Sequence, residues 1–270
     1  MNTIPKKIHY CWFGRNPKPE LALKCIESWK KNCPEYEIVE WNEDNFDMNQ
    51  NLYVKQAYEA KKYAFVSDYA RLYALYNYGG IYMDTDVEVL KNFNEFLSLN
   101  AFTCFESNGY ITTGVIGATK ENPWIKDMLN EYTGLKFIKD NGEMDLTTNV
   151  ARMSGLMKEK YGLNSDNVYQ NLNDIVVVYP NDFFSPKDWS TGKINCTENT
   201  HTIHHFSGSW HDEKQQKEVK KLQEKANRYI EKYGEEEGRK KFNKHETYMY
   251  YLKNPSKAIK RVCEKVLKRN

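Results

Sequence analysis

Ala64-Phe65-Val66-Ser67-Asp68-Tyr69-Ala70-Arg71-Leu72-Tyr73-Ala74-Leu75-Tyr76-Asn77-Tyr78-Gly79-Gly80-Ile81-Tyr82-Met83-Asp84-Thr85-Asp86-Val87-Glu88-Val89-Leu90 decides the fold. Val66, Ala70, Tyr73 and Asn77 fall on one helical stripe, with Tyr69, Leu72 and Tyr76 beside it. Gly79 and Gly80 stop that helix, because glycine accepts backbone angles closed to other residues. Ile81, Met83, Val87 and Val89 then alternate at the spacing of a β-strand. In one extended strand the Asp84 and Asp86 carboxylates would leave the same face.

Two anions side by side are costly unless a cation or hydrogen-bond donors separate them. A divalent ion meets that need, and hard oxygen ligands suit Mg²⁺ or Mn²⁺. Asp68 and Arg71, three apart, share a helix face. The stretch thus combines carboxylates for a metal with an arginine for an anion, the requirements of a metal-bridged diphosphate. Acidic strand ends are common on surfaces. What distinguishes this one is Gly-Gly before it, the apolar strand carrying it and the Asp68/Arg71 helix upstream. A solvated strand end explains Glu88.

The run from Ala64 to Glu88 resembles the glycosyltransferase sugar-binding region containing the DXD motif, glycosyltransferase family 32. It is also similar to the catalytic core of the large clostridial glucosylating toxins. The resemblance implies a GT-A fold: a Rossmann-like, mostly parallel α/β sheet flanked by helices, here with a C-terminal helical extension. It further implies retaining transfer of a hexose from a nucleotide-sugar to a glycan or lipid-linked acceptor, with Mn²⁺ or Mg²⁺ as cofactor. A role in capsular or other surface polysaccharide synthesis follows from the same likeness.

Upstream, Ile8, Tyr10 and Trp12 alternate before Gly14 and Pro17, a first strand ending in a loop. Ligands of open α/β sheets bind beyond the carboxyl ends of strands. Trp12 at that end either packs in the core or stacks on a nucleotide base. The family's opening segment, whose tryptophan stacks on uracil in the toxins, resembles residues 8–14 and favours stacking and UDP. Residues 19–31 read as a helix and 36–41 as a second strand, a crossover within a parallel sheet. Asn42 follows, either contacting base or ribose or bonding its own loop. Further strands are expected over 102–106, 110–118 and 174–180, and helices over 53–63, 122–132 and 150–161. Asn149 is a candidate near the donor sugar, by resemblance; Thr148 or Asn149 capping the helix explains the same residues.

The second informative stretch is Thr200-His201-Thr202-Ile203-His204-His205-Phe206-Ser207-Gly208-Ser209-Trp210. On a strand, His204 and His205 face opposite ways. His205-Phe206-Ser207-Gly208 resembles the H-[FY]-x-G segment of retaining GT-A enzymes, which makes His205 the third metal ligand with Asp84 and Asp86. Ser209-Trp210 resembles the mobile loop of the toxins, which places Trp210 on the diphosphate. The toxins carry an acidic residue and a serine where this chain has His205. By the same resemblance Asp68 orients sugar hydroxyls, Arg71 meets phosphate or sugar, and Tyr82 touches the nucleotide.

The chain has 270 residues and a net charge of +2. Residues 211–270 carry 18 Lys+Arg against 10 Asp+Glu, which leaves the first 210 at −6. The expected division is a catalytic domain over 1–210 and a basic helical extension over 211–270. In that extension Ala258, Ile259, Val262, Cys263, Val266 and Leu267 form an apolar stripe flanked by lysine and arginine. It either packs on protein or lies on an anionic membrane. The acidic body argues against nucleic acid. No run approaches the ~18 apolar residues of a membrane span, the first residues lack a signal-peptide core, and the six cysteines form no C-x-x-C pair. A cytoplasmic protein, peripheral on the inner face of the plasma membrane if the tail binds lipid, is the expectation. Two other readings compete. A D-x-D phosphatase would need the motif to end the first strand. A carbohydrate-binding module would use the aromatic residues for metal-independent stacking.

Overall fold

The computed structural model describes residues 3–208 and 213–253. β1 (Lys7–Cys11), α1 (Glu20–Asn32) and β2 (Glu37–Trp41) come first, and β1 pairs with β2 in parallel, Lys7 opposite Glu37 and Cys11 opposite Trp41. Strand alternation sorts β1 between two cores. Ile8 and Tyr10 pack with Cys25, Ile26 and Trp29 of α1, while Cys11 joins the core on the other face. Glu20 in the first turn of α1 and Lys30 and Lys31 in its last complement the helix dipole.

The helical region expected over 53–63 is split. α2 (Leu52–Glu59) is capped by Asn51, whose side chain accepts from the Tyr53 and Val54 N–H groups. Lys61, at φ 56°, ends that helix, and α3 (Tyr63–Tyr78) begins afresh. Val66, Ala70, Leu72, Ala74 and Leu75 form its buried face. α3 ends at Gly79, φ 65°, and a Cβ there would stand 2.7 Å from the Lys120 backbone nitrogen. Gly80, φ 114°, lies so close to β1 that a Cβ would stand 2.8 Å from the Lys7 carbonyl oxygen. Both the backbone angles and the close approach demand glycine.

The chain continues through β3 (Gly80–Met83), β4 (Val87–Val89), β5 (Ala101–Cys104), β6 (Val115–Ala118), α4 (Pro123–Asn130) and α5 (Asn149–Tyr161). β7 (Gln170–Leu172), β8 (Val176–Tyr179), the short α6 (Asn181–Phe184) and β9 (Thr202–His204) follow. Seven strands form one sheet in the order β2-β1-β3-β6-β5-β8-β7, and β4 and β9 form a separate antiparallel pair. β6 and β7 run against the other five strands of the large sheet. This is the mostly parallel, helix-flanked α/β sheet that was expected.

The register of that sheet positions the site. Trp12, Asn42 and Asp84 each follow directly on a parallel strand, β1, β2 and β3, so they emerge at one end of the sheet. Thr113 and Gly114 lead into antiparallel β6 at the same end, where Val115 pairs with Met83. Glu106, just past β5, also lies there.

The chain divides into two compact units, Met1–Asp188 with Lys193–Trp210, and Trp189–Gly192 with His211–Asn270. In the second unit α7 (Glu213–Tyr233) and α8 (Glu235–Lys253) pack together, joined at Gly234, φ 80°. Lys225 pairs with Glu246 at 2.7 Å, and Asn227 donates to the Thr191 carbonyl at 2.9 Å. The basic stripe at residues 258–269 lies outside the described residues.

Candidate functional site

The Asp84-Thr85-Asp86 motif is a turn, not the continuous strand its alternation suggested. β3 stops at Met83, the Val87 N–H donates to the Asp84 carbonyl at 3.0 Å, and β4 starts in a different sheet. The two carboxylates converge because the chain bends between them. Asp84 is fixed by its own N–H donating to the Gly114 carbonyl at 2.9 Å and by the Tyr82 hydroxyl donating to its Oδ1 at 2.9 Å. Asp86 accepts the Ser207 N–H on Oδ2 at 2.7 Å, and its backbone carbonyl accepts the His205 N–H at 3.0 Å.

The histidine brought to these carboxylates is His204, a correction to the choice of His205. His204 pairs with Val87 in the β4/β9 register, and its Nε2 lies 3.3 Å from Asp86 Oδ1. One ligand atom each from Asp84, Asp86 and His204 lies within 4.8 Å of the others. His205, on the opposite side of the strand, has its Nε2 at 2.9 Å from Glu88 Oε2. Glu88 is therefore a hydrogen-bond partner of His205 and not simply a solvated strand end. Phe206 leaves the strand at φ 50° and lays its ring against His204, centroids 4.0 Å apart.

Two features test whether this trio suits a divalent ion. The Nδ1 of His204 is buried and has no hydrogen-bond partner, an arrangement that ordinarily costs free energy. The donor set, two carboxylate oxygens and an imidazole, is one that Mn²⁺ accepts. The site fits the ion. Burial alone would lower the His204 imidazole, but Asp86, Asp84 and Glu106 raise it to about 9. Burial would raise Asp86, but the charge and hydrogen bond of His204 and the Ser207 contacts hold it well below the carboxylate range. Coordination requires a neutral imidazole, so a metal held here would displace any proton on His204. Glu106, 6% exposed, is pushed up to about 7, mainly by burial. Gly114 makes room for the cluster, since a Cβ there would stand 3.0 Å from the His204 ring and 3.2 Å from Asp84 Oδ2.

Behind the trio lies a closed polar network. Arg71 is 5% exposed. Its Nη2 donates to Asp68 Oδ1 at 2.9 Å, its Nη1 to the Thr113 carbonyl at 2.6 Å and its Nε to the Ser67 carbonyl at 3.3 Å, and Nη1 lies 3.4 Å from Asp84 Oδ1. The guanidinium sits 4.7 Å from the centre of the Tyr82 ring. Arg71 is thus spent on protein groups, bridging Asp68 and Asp84. Burial and the neighbouring Asp84 push Asp68 up to about 6, against the pull of Arg71. Tyr82, 1% exposed, presents no surface to a nucleotide. Its hydroxyl serves Asp84.

Trp12 stands half-buried at the end of β1, its indole N–H donating to the Asn16 carbonyl at 2.6 Å. Asn42 is taken up by its own loop. Its Oδ1 accepts the Asp44 N–H at 2.9 Å, and its Nδ2 donates to Glu40 at 3.1 Å. Asn149 is 2% exposed at the start of α5, its Nδ2 donating to the Asp68 carbonyl at 3.4 Å, while Thr148 caps the helix through the Ala151 N–H. Ser209 and Trp210 lie outside the described residues. Sequence reasoning passed over Glu106, Thr113 and Lys187, which no local pattern marks.

Residues 19–103 match the family model "Glycosyltransferase sugar-binding region containing DXD motif", in agreement with the resemblance carried by the sequence. Inositol phosphoceramide mannosyltransferase 3 of Schizosaccharomyces pombe is 28% identical over 139 residues, 50% of this chain and 39% of that protein. Inositol phosphoceramide mannosyltransferase 1 of the same yeast is 28% identical over 146 residues, 49% of this chain and 44% of that protein. The chain thus spans less than half the length of these two relatives. Uncharacterized glycosyltransferase L373 of Acanthamoeba polyphaga mimivirus is 29% identical over 193 residues, 63% of this chain and 76% of that protein. Among solved structures, the PaToxG glycosyltransferase aligns with a TM-score of 0.47 at 24% identity, over 61% of this chain and 73% of that one.

Proposed function

We propose that the chain is a metal-dependent glycosyltransferase that moves a hexose from a nucleotide-sugar to a glycan or lipid-linked acceptor with retention of anomeric configuration. The observation that carries this reading is the Asp84/Asp86/His204 trio with the unpartnered His204 Nδ1, at the carboxyl end of parallel strands where nucleotides bind in open α/β sheets. The family match over residues 19–103 agrees with it. Catalysis is assigned to residues 1–210, with 211–270 an extension.

Asp84, Asp86 and His204 would hold Mn²⁺ or Mg²⁺, which, when bound, offsets the charge of a diphosphate leaving group. The chain's own residues set up that site. Arg71 and the Tyr82 hydroxyl fix Asp84, and the Ser207 N–H fixes Asp86. Asp68 is held by Arg71 and is the group assigned to the sugar hydroxyls, and Trp12 offers an indole face to the base. Ser209 and Trp210, if they close over the site, exclude water and limit hydrolysis. UDP-sugars are favoured by the toxin-like Trp12 and Asp68/Arg71. The two yeast relatives are mannosyltransferases by name, which puts GDP-mannose among the donors to try. Surface or capsular polysaccharide synthesis is the assigned setting, with a cytoplasmic enzyme reaching lipid-linked acceptors at the membrane. No helix among the described residues is long and apolar enough to cross one.

The test is nucleotide release from a panel of UDP- and GDP-sugars with and without Mn²⁺. Release from one donor that needs the metal and is lost in Asp86→Ala identifies the sugar. Absence of binding and turnover with every donor overturns the reading.

A further inference from the structure

The sequence offered Arg71 as the cation for a diphosphate, and the structure buries that arginine among protein acceptors. A different cation reaches the backbone of the residue that follows His204. Lys187 follows α6 on a segment whose backbone is fixed. Lys187 bridges Ile194, the Asp188 N–H donates to the Lys193 carbonyl at 2.8 Å, and the Asn195 N–H donates to the Pro186 carbonyl at 3.2 Å. Its half-buried ammonium donates to the His205 carbonyl; burial lowers its pKa, and the charge of Asp86 opposes that lowering. The His205 backbone thus links the two residues, its N–H on the Asp86 backbone carbonyl and its carbonyl oxygen on Lys187. An ammonium has three N–H donors, and the His205 carbonyl takes one.

We propose that Lys187 is a diphosphate-binding residue, the cation that meets the phosphates of a nucleoside diphosphate held at Asp84, Asp86 and His204. This rests on the transferase reading. A divalent ion leaves a nucleoside diphosphate with negative charge still to be balanced, and a lysine serves phosphate as a point charge without the planar fit an arginine needs. Lys187 brings that charge on a fixed segment bonded to the residue next to His204, so little ordering is required on binding. The competing role is structural: Lys187 merely offsets the charge of Asp86.

Calorimetry on the full chain separates the two. Uridine, guanosine, UDP and GDP are titrated in the presence of Mn²⁺, and Mn²⁺ is titrated alone, against wild type, Lys187→Gln and Lys187→Arg. Gln keeps an N–H for the His205 carbonyl and removes the charge; Lys187→Met is a second charge-free variant should the Gln protein fold poorly. The expected result is a loss of about tenfold or more in affinity for the preferred nucleoside diphosphate in Lys187→Gln. Affinity for the matching nucleoside and for Mn²⁺ stays the same, the salt dependence of diphosphate binding becomes shallower, and Lys187→Arg recovers most of the loss. Equal diphosphate affinity in wild type and Lys187→Gln, or a change in Mn²⁺ binding with no selective loss for the diphosphate, overturns the proposal and leaves the transferase reading standing. A wild type that binds neither UDP nor GDP overturns both.

Discussion

His204 and His205 are chain neighbours whose surroundings separate them. One is buried against Asp86 with a free ring nitrogen, and the other is paired with Glu88. His204→Ala should therefore abolish Mn²⁺ binding and donor turnover, while His205→Ala keeps most of both. Mn²⁺ titration followed by electron paramagnetic resonance checks this, and the opposite order of effects would restore His205 as the ligand. Gly114 gives a second residue-scale prediction. An alanine there presses on the His204 ring and on Asp84 Oδ2 at 3.0 to 3.2 Å, and both ligands are held by other contacts. Gly114→Ala should fold normally and bind Mn²⁺ about tenfold more weakly, a shift worth about 1.4 kcal/mol.

The junction of β1, α3 and β3 is where elements, rather than single side chains, are specified. His9 on β1 bonds from Nε2 to the Gly79 carbonyl at 2.8 Å, and the Trp41 indole N–H lies 3.2 Å from its Nδ1. That pattern calls for a neutral ring with its proton on Nε2, because a proton on Nδ1 would face the Trp41 donor. Burial, with help from Lys7, accordingly lowers the His9 imidazole despite the Gly79 carbonyl. The folded protein resists protonation that the unfolded chain accepts near 6.5, so the contribution is full above that pH and is lost as pH falls below it towards the folded value. The stability difference between wild type and His9→Gln should shrink between pH 7.5 and 5, measured by urea unfolding. A constant difference would sink the tautomer assignment. At the same junction Gly79→Ala should cost about 2 kcal/mol or more, since its φ of 65° with ψ of −179° is a region nearly closed to other residues.

The strand and helix periodicities of residues 7–41 and 63–83 were legible because they are set by local alternation and by glycine. The break at Asp84-Thr85-Asp86 was not. Its residues alternate as a strand would, and only the departure of β4 into a pair with β9 turns the chain there. The split at Lys61 was hidden for a similar reason, since nothing in its side chain demands a positive φ.

For the whole molecule, the metal and the nucleotide should act together. With Mn²⁺ present and a nucleoside diphosphate at 100 times its Kd, the protein should gain about 2.7 kcal/mol of stability. EDTA should abolish that gain along with donor turnover. Thermal unfolding with and without chelator reads both, and stabilisation that survives EDTA would remove the metal from the site. The charge asymmetry belongs to this scale too: an acidic first unit suits metal ligation, and the basic tail gives the chain its small positive total.

By itself the sequence determined the class of sheet, the helix and glycine stop before the motif, and the carboxylates Asp84 and Asp86 as candidate ligands. These follow from periodicity and from residue chemistry that acts within a few positions. Only the tertiary structure decided that His204 rather than His205 joins them, that Arg71 is consumed inside the protein and that Lys187 bonds the His205 carbonyl. Each of those outcomes depends on segments 18 to 121 residues apart in the chain being brought together by strand register and packing. No local pattern in a sequence records which face of a short strand will meet them.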